Sequence, residues 1–430
     1  MDLKTFLDEA VLSISTPCLL QMILNDIRLA AISITSNIKK SRNGYVNSLK
    51  KRIDIIKGQT NYSIPIINSL EDELQTFVNI ESKIFHRKSN LQNMFLAQSD
   101  PSILASTLKK KCSTPISVIK KVVNNEHVAF LNNEERNDYL LNYYKNIYSI
   151  KPVRTCNIEK FLGESCPYPS TNRLTESEVD MLCHQINETE VYNVINSLGN
   201  SSCGMDLIPN LLIKQTAKVL LPFLLSAFNS VFLDNETFPN DFKFCYVRLI
   251  PKKSNLSHIS SWRPISIGNS IYKVYTKSIA KRLNKIMPSL LGRSQKAYLK
   301  KYNINEASIN LLETINSAIT QKFPLFVTAI DYSRAFDALS HEHIVDALIF
   351  FNFPPSFIVT IEKWLSNRRS CILTDCGYTD FFDINTGIPQ GDSISGYIFL
   401  LSMEVLLIKL LKTLEINLIY CYLKTSQHCP

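Results

Sequence analysis

Leu325-Phe326-Val327-Thr328-Ala329-Ile330-Asp331-Tyr332-Ser333-Arg334-Ala335-Phe336-Asp337 is the stretch on which the reading of this chain turns. Its first six residues form an apolar run of strand length, which predicts a buried strand over 325–330. The run delivers a carboxylate, Asp331, to the rim of the expected sheet. A carboxylate so placed is suited to holding a hard cation such as Mg²⁺ against a phosphate. The ordinary alternative is a helix N-cap, because Asp is a favoured cap and an amphipathic helix pattern follows. Asp337, six residues on, stands just before that pattern.

Composition narrows the classes around this stretch. The chain has 430 residues, 45% of them hydrophobic and 20% charged, enough for more than one core and unlike a disordered segment. Only 11 residues are Gly, and neither GxGxxG nor GxxxxGK[ST] occurs. The net charge of +9 permits a polyanionic partner without requiring one. The 11 Cys are scattered with no CxxC, which argues against a zinc module. The odd count and the absence of a signal peptide predict an intracellular protein, without separating nucleus from cytoplasm. The most apolar segment, Ile398–Leu411, contains Glu404 and Lys409 and falls short of the ~20 residues a bilayer span needs. No membrane partner is expected.

Residues 1–150 read as a mostly helical, basic N-terminal extension. Apolar residues from Phe6 to Ile32 follow helical steps, broken at Pro17. Basic clusters recur at Lys39/Lys40/Arg42, Lys50/Lys51/Arg52, Arg87/Lys88, Lys109/Lys110/Lys111 and Lys120/Lys121. Any one is most simply a solvated helix face; together they lean towards phosphate contact. Asn137–Tyr148 (NDYLLNYYKNIY) reads as an aromatic-rich helix, core rather than stacking platform. Residues 151–173 are breaker-rich and read as a linker.

A new domain, 174–430, then opens on the capping box Thr175-x-x-Glu178, and a second helix starts at Asn187-x-x-Glu190. A helical stretch from Leu211 to Leu233 is expected to break at Pro222. Phe244–Ile250 reads as a strand stopped by Pro251 and followed by Lys252-Lys253; Trp262-Arg263-Pro264-Ile265-Ser266-Ile267 repeats the pattern with Arg263 near its start. Paired cations beside strand ends can hold a triphosphate. Ile271–Met287 is a basic amphipathic helix ending at Pro288, Gln295–Ile304 a loop and Ile309–Ile319 a helix. Ser340 caps a helix to Phe350, and Phe357–Leu365 is another. Residues 371–374 and 381–385 suggest a hairpin. Gly387-Ile388-Pro389-Gln390-Gly391-Asp392-Ser393-Ile394-Ser395 then launches an apolar helix from Gly396 to about Leu414. A bare Gly beside Gln390 would let backbone approach a base pair closely, or would be an ordinary helix start.

Taken in order, these pieces resemble the reverse transcriptases of non-LTR (LINE-type) retrotransposons. Leu249-Ile250-Pro251-Lys252-Lys253 and Arg263-Pro264-Ile265-Ser266 are similar to that family's fingers motif LIPK…RPIS. Gln295-x-Ala297-Tyr298 is similar to its QxGF loop, Asp331 to His341 to motif A, D(F/Y)S(K/R)AFD, and Gly387 to Ser395 to motif B, GxPQGDxLS. Cys203 to Pro209 is similar to its PGPDGIP loop. The resemblance covers about residues 174–422. It implies an α+β right-hand polymerase, with fingers over about 174–323 and a partial palm over about 324–430. It implies that the domain adds dNTPs to a DNA primer on an RNA template with Mg²⁺. Asp331 and the backbone carbonyl of Tyr332 would be metal ligands. Phe336 would be the gate against a ribose 2′-OH, its alternative being a core Phe. Gln390 and Gly391 would touch the nascent pair, Lys252 and Arg263 the triphosphate, and Gln295 and Tyr298 nucleic acid. Asp337 would be structural, as a cap or ion-pair partner.

The sequence departs from the family in several places. Tyr302 stands where an Arg usually follows the QxGF loop, the loop at Gly204 has lost one Gly and one Pro, and Ser393 and Gly396 replace two prolines. The (Phe/Tyr)-x-Asp-Asp box is missing: no Asp follows Asp392. The resemblance therefore implies a chain truncated before that box, through a frameshift, splice or early stop. Such a chain would lack the thumb and any zinc knuckle and be inactive alone; the N-terminal endonuclease domain of many such elements is expected to be absent as well. A non-catalytic nucleic-acid-binding remnant is the alternative reading.

Overall fold

The computed structural model describes residues 15–57, 68–75, 116–149, 158–163 and 173–413, except 124–125, 200, 253–255, 293–294, 296, 300–302 and 329. Contacts cluster into two compact units, residues 1–115 with 375–377 and residues 116–374 with 378–430.

In the first unit, α1 spans Thr16–Lys57. Pro17 lies in its first turn, where a missing N–H costs nothing, so the expected break is the helix start. Leu49 and Ile53 bury against Leu70 of a short helix at 68–75, and Lys57 pairs with Glu71 at 2.6 Å. Lys40, Lys50, Lys51 and Arg52 are exposed on α1, as a solvated face requires; the clusters at 87–88 and 109–111 lie outside the described residues. Among the described residues α1 is the helix long and apolar enough to cross a membrane by length and composition. Asp26 and Arg28 stand near the middle of its apolar half, where each would cost about 2.5–3.5 kcal/mol in a bilayer core.

The second unit is α+β. It opens with a small antiparallel pair, β1 (Lys121–Val123) and β2 (Glu126–Val128), and then α2 (Asn133–Tyr148), capped by the Asn132 side chain. Lys121 forms an ion pair with Glu135 in the first turns of α2. Short α3 (Ile158–Leu162) precedes α4 (Glu176–Cys183) and α5 (Glu188–Asn196), both with complete capping boxes at Thr175 and Asn187. α6 (Asn210–Gln215) and α7 (Ala217–Phe232) follow. The break between them is at Thr216, not at Pro222, which sits inside α7. One lost N–H is tolerated there because Leu220, Leu221 and Leu224 are all buried around it.

The sheet begins with β3 (Cys245–Pro251) and β4 (Trp262–Gly268), an antiparallel hairpin in which Ile250 faces Arg263. α8 (Ser270–Leu290) runs past the expected end, with Pro288 inside its last turn. α9 (Ile304–Gln321), α10 (His341–Phe350, capped by Ser340) and α11 (Pro355–Leu365) lead to β5 (Arg368–Thr374). β5 lies parallel to β3 and antiparallel to β7 (Phe382–Ile384), with β6 (Gly377–Tyr378) between them in sequence; the sheet order is β4-β3-β5-β6, with β7 also on β5. α12 (Ser395–Thr413) closes the described chain. Its buried Ile398, Phe399, Leu400 and Leu401 make the apolar run a core helix.

The core explains where contacts divide. Leu140, Leu141, Tyr144, Ile147 and Tyr148 of α2 bury against Val247, Leu249, Trp262, Ile372 and Phe382 of the sheet. α2, read from sequence as part of an N-terminal extension ending at 150, thus packs with the second unit, which takes in residues from 116 onward. Arg282, read as one cation of a basic face, is buried. It donates to the carbonyls of Leu182, His184 and Gln185 and to Glu190, tying α8 to the end of α4 and the start of α5.

The expected buried strand over 325–330 is not one. The described residues of this run have no regular structure, and Phe326 is 92% exposed, Val327 58% and Ile330 56%. A strand needs a neighbour to accept its N–H and C=O groups, and among the described residues no strand runs beside this run.

Candidate nucleotide and nucleic-acid cleft

Motif A and motif B are laced together by backbone. Residues 333–337 form turns, with Arg334 in the left-handed region at φ 54°. The turn is closed by Asp337 N–H donating to Arg334 O at 3.0 Å. Gly387 N–H donates to Leu339 O, and Ile388 N–H to Phe336 O, each at 2.8 Å. His341 Nε2–H donates to Gly387 O at 2.8 Å. Burial pushes the His341 imidazole below its ordinary value, against the raising effect of that bond. Gly387 sits at φ +79°, and a Cβ there would lie 2.6 Å from Asp337 O. Only glycine tolerates both conditions.

The β3–β4 hairpin joins the same lacing. Ser266 N–H of β4 donates to Gln390 O at 2.8 Å. Gly391, at φ +116°, would place a Cβ 2.8 Å from Ser266 O, so what approaches this bare glycine in the folded chain is the β4 backbone. Lys252 N–H donates to Ser261 O at 2.8 Å, and the Lys252 side chain is exposed. Arg263 is half-buried, and among the described residues its Nε has no partner.

These elements surround a cavity of about 380 Å³. Lys252, Arg263, Asp331, Tyr332, Phe336 and Gln390, six of the residues singled out from sequence, line it together. Gln295, Tyr298 and Gly391 do not. Tyr298 reaches it indirectly: its ring meets Phe336 edge-on at 6.2 Å and lies against Gly396, where a Cβ would come within 2.9 Å. The bare Gly396 is thus room for Tyr298. Gln295 is buried, its Oε1 accepting from Ala297 N–H at 3.3 Å. Phe336 is itself buried and stacks on Phe399 at 4.8 Å, so its core role is real in this structure.

Three cavity residues come from α2, which sequence reading treated as core alone. Tyr143, Tyr144 and Ile147 form one wall. Arg334 donates to the Tyr143 hydroxyl at 2.7 Å and lies 5.2 Å over its ring. The available signal was the aromatic density of the helix, in which Tyr144 and Tyr148 are core and half-buried Tyr143 is not.

Asp337 is neither a helix cap nor an ion-pair partner in the described contacts. Buried, it accepts from Tyr148 Oη at 2.8 Å and from Gln390 Nε2 at 3.2 Å to each oxygen. Burial pushes its carboxyl up, while those two bonds and the charges of Arg334 and Lys252 pull it down. Burial likewise holds Tyr148 well above the ordinary phenol range, so it remains a donor. The PGPDGIP-like loop is structural too: Asp206 accepts from Ser270 N–H at 2.8 Å at the start of α8.

The donor set does not fit a two-Mg²⁺ centre. Among the described residues no group of three or more metal-ligating side chains exists. Asp331 is the exposed carboxylate of the cavity, and both oxygens of Asp337 are engaged. One carboxylate with waters and substrate phosphates suits a single Mg²⁺ at most, whereas clamping both the attacking and the leaving oxygen takes a metal pair.

The sequence profile of the family described as reverse transcriptase (RNA-dependent DNA polymerase) matches residues 250–423. The transposon TX1 uncharacterized 149 kDa protein of Xenopus laevis is 22% identical over 84% of this chain and 29% of its own length. The Pol polyprotein of a type-1 R2 retrotransposable element from Popillia japonica is 32% identical over 38% of this chain and 23% of its own. The probable RNA-directed DNA polymerase from transposon BS of Drosophila melanogaster is 24% identical over 52% of this chain and 25% of its own. The chain spans less than a third of the length of each of these relatives. With the β3–β4 hairpin, motif A and motif B meeting at one cavity, the chain contains a reverse transcriptase domain over residues 250–423 and is similar to the polymerases of non-LTR retrotransposons.

Proposed function

We propose that the cavity receives the end of a DNA primer on an RNA template, with a dNTP, and that residues 1–430 alone bind these without extending the primer. The observation that carries this is the convergence of Lys252, Arg263, Asp331, Tyr332, Phe336 and Gln390 on one cleft. Lys252 and Arg263 would hold the triphosphate, as an exposed cation and a guanidinium with an unused donor suit it to do. Asp331, with the Tyr332 carbonyl, would take one Mg²⁺ shared with those phosphates. Phe336 would limit the sugar, Gln390 and Gly391 would border the new pair, and Gln295 and Tyr298 would support the template side. In this reading, fingers occupy about 174–323 and partial palm about 324–430, and the RNA template and dNTPs place the working protein inside the cell. The lack of extension would follow from a cavity that offers, among the described residues, one accessible carboxylate, Asp331, where a metal pair needs more.

Two measurements test the reading. Purified chain with Mg²⁺, dNTPs and a primed RNA template is expected to give no extension. Extension abolished by Asp331→Ala would refute the claim of inactivity. Affinity for a primed RNA is expected to fall steeply between about 50 and 200 mM salt, because phosphate neutralisation releases counterions. A flat salt response would remove the binding claim.

A further inference from the structure

Arg334 holds a left-handed backbone conformation, φ 54°, that a side chain with a Cβ seldom adopts. Its carbonyl accepts from Asp337 N–H at 3.0 Å and from Ala338 N–H at 2.9 Å, so the turn fixes the residue there. Strain of this kind gathers at ligand clamps. The side chain is exposed, and with Lys252 and Arg263 it makes three cations that border the cavity. Among the described residues no carboxylate forms an ion pair with it; the hydrogen bonds of Asp337, the nearest acid of its own turn, come from Tyr148 and Gln390. Only Nη2 of the guanidinium has a hydrogen-bond partner among them, the Tyr143 hydroxyl at 2.7 Å.

Tyr143 stands outside the family-matched region, 191 positions before Arg334, yet lines the same cavity. Its ring lies 5.2 Å from the guanidinium carbon and is braced edge-on at 5.2 Å by the buried Tyr144. Burial raises its pKa, so the phenol keeps its proton near neutral pH. A hydroxyl that accepts from a guanidinium must send its own proton elsewhere, and no acceptor for that proton is among the described residues. The wall therefore presents guanidinium N–H groups beside a phenol O–H. Adjacent donors with one positive charge suit an oxyanion.

We propose that Arg334 and Tyr143 form one phosphate clamp: both donate to a single phosphate group of the ligand, and Tyr143 holds the guanidinium in place. This rests on the reading of the cavity as a nucleotide and nucleic-acid cleft. The phosphate belongs to a triphosphate or to a nucleic-acid backbone, which offer the same oxygens. In either case α2, a helix outside the matched domain, supplies part of the binding site.

The test titrates the full chain with two probes, inorganic tripolyphosphate by calorimetry and a fluorescent DNA primer annealed to RNA by anisotropy over a range of KCl. Arg334→Gln is expected to weaken at least one probe about tenfold to a hundredfold, as loss of hydrogen bonds to a charged group does. If that probe is the primed RNA, the slope of log affinity against log salt is expected to flatten by about 0.7–0.9, one phosphate contact. Tyr143→Phe, which keeps the ring on Tyr144, is expected to weaken the same probe about two- to tenfold. Added to Arg334→Gln it is expected to cost about twofold or less, because the clamp is already broken. Both variants are expected to keep the wild-type circular dichroism, since Arg334 is exposed and Phe fills the space of Tyr143. A loss confined to tripolyphosphate assigns the clamp to a triphosphate, and one confined to primed RNA assigns it to the backbone. Undiminished binding of both probes by Arg334→Gln, or fully additive effects of the two substitutions, overturns the clamp and leaves the cleft reading standing. Wild-type chain that binds neither probe overturns both.

Discussion

His341 shows how a single side chain reports on the join between motifs A and B. Burial lowers its imidazole pKa in the fold, whereas an unfolded histidine takes a proton near pH 6.5. The unfolded state then binds more protons than the folded one below that pH, so stability falls as pH drops through about 6.5. His341→Gln keeps a donor for Gly387 O and does not titrate. We expect the melting temperature of the wild type to drop more between about pH 7.5 and 5.5 than that of the variant. An equal drop in both would clear His341 of the effect. Arg282 offers a stability test of the same kind. Arg282→Met leaves Glu190 and three carbonyls without their donor and is expected to cost about 3–5 kcal/mol in denaturant unfolding. At this scale the sequence was legible where a residue type has few uses, as with the capping boxes and the glycines of motif B. It was opaque for Asp337 and Arg282, because a burial partner nearly 100 or more positions away leaves no local mark.

Between elements, periodicity did most of the work and failed where it had to. Helices α4, α5, α10 and α11, and strands β3 and β4, lie within a few residues of where apolar spacing and cap residues put them. The run 325–330 has the composition of a buried strand, but a strand is a pairing and not a property of one segment. Without a neighbour, Phe326 stands almost fully in solvent. Phe326→Ala is therefore expected to change unfolding free energy by no more than about 0.5 kcal/mol. A core position would lose about 3–5 kcal/mol, and a loss of that size would show that the run is buried in solution.

For the whole molecule, the α+β class and the reverse transcriptase domain could be read directly, whereas the boundary of the folded unit could not. Composition breaks at 151–173, yet contacts break near 115, because α2 contributes a face that the sheet cannot cover otherwise. Residues 116–430 are expected to melt as one cooperative unit, and a chain starting at 174 to lose that cooperativity. Five buried α2 side chains at roughly 1.5–3 kcal/mol each are comparable to the entire stability of a domain. If calorimetry shows a chain from 174 melting cooperatively at the same temperature as one from 116, the boundary is wrong.

The bond from Tyr148 to Asp337 also sets a timetable. Its partners are separated by 189 positions, and those of the Arg334–Tyr143 bond by 191. At a synthesis rate of about 5–20 residues per second, α2 leaves the ribosome about 10–40 s before the carboxylate it will hold exists. The cleft is thus among the last parts of the chain to close, and until then the tyrosine face of α2 is an apolar surface that the nascent protein must keep from other company.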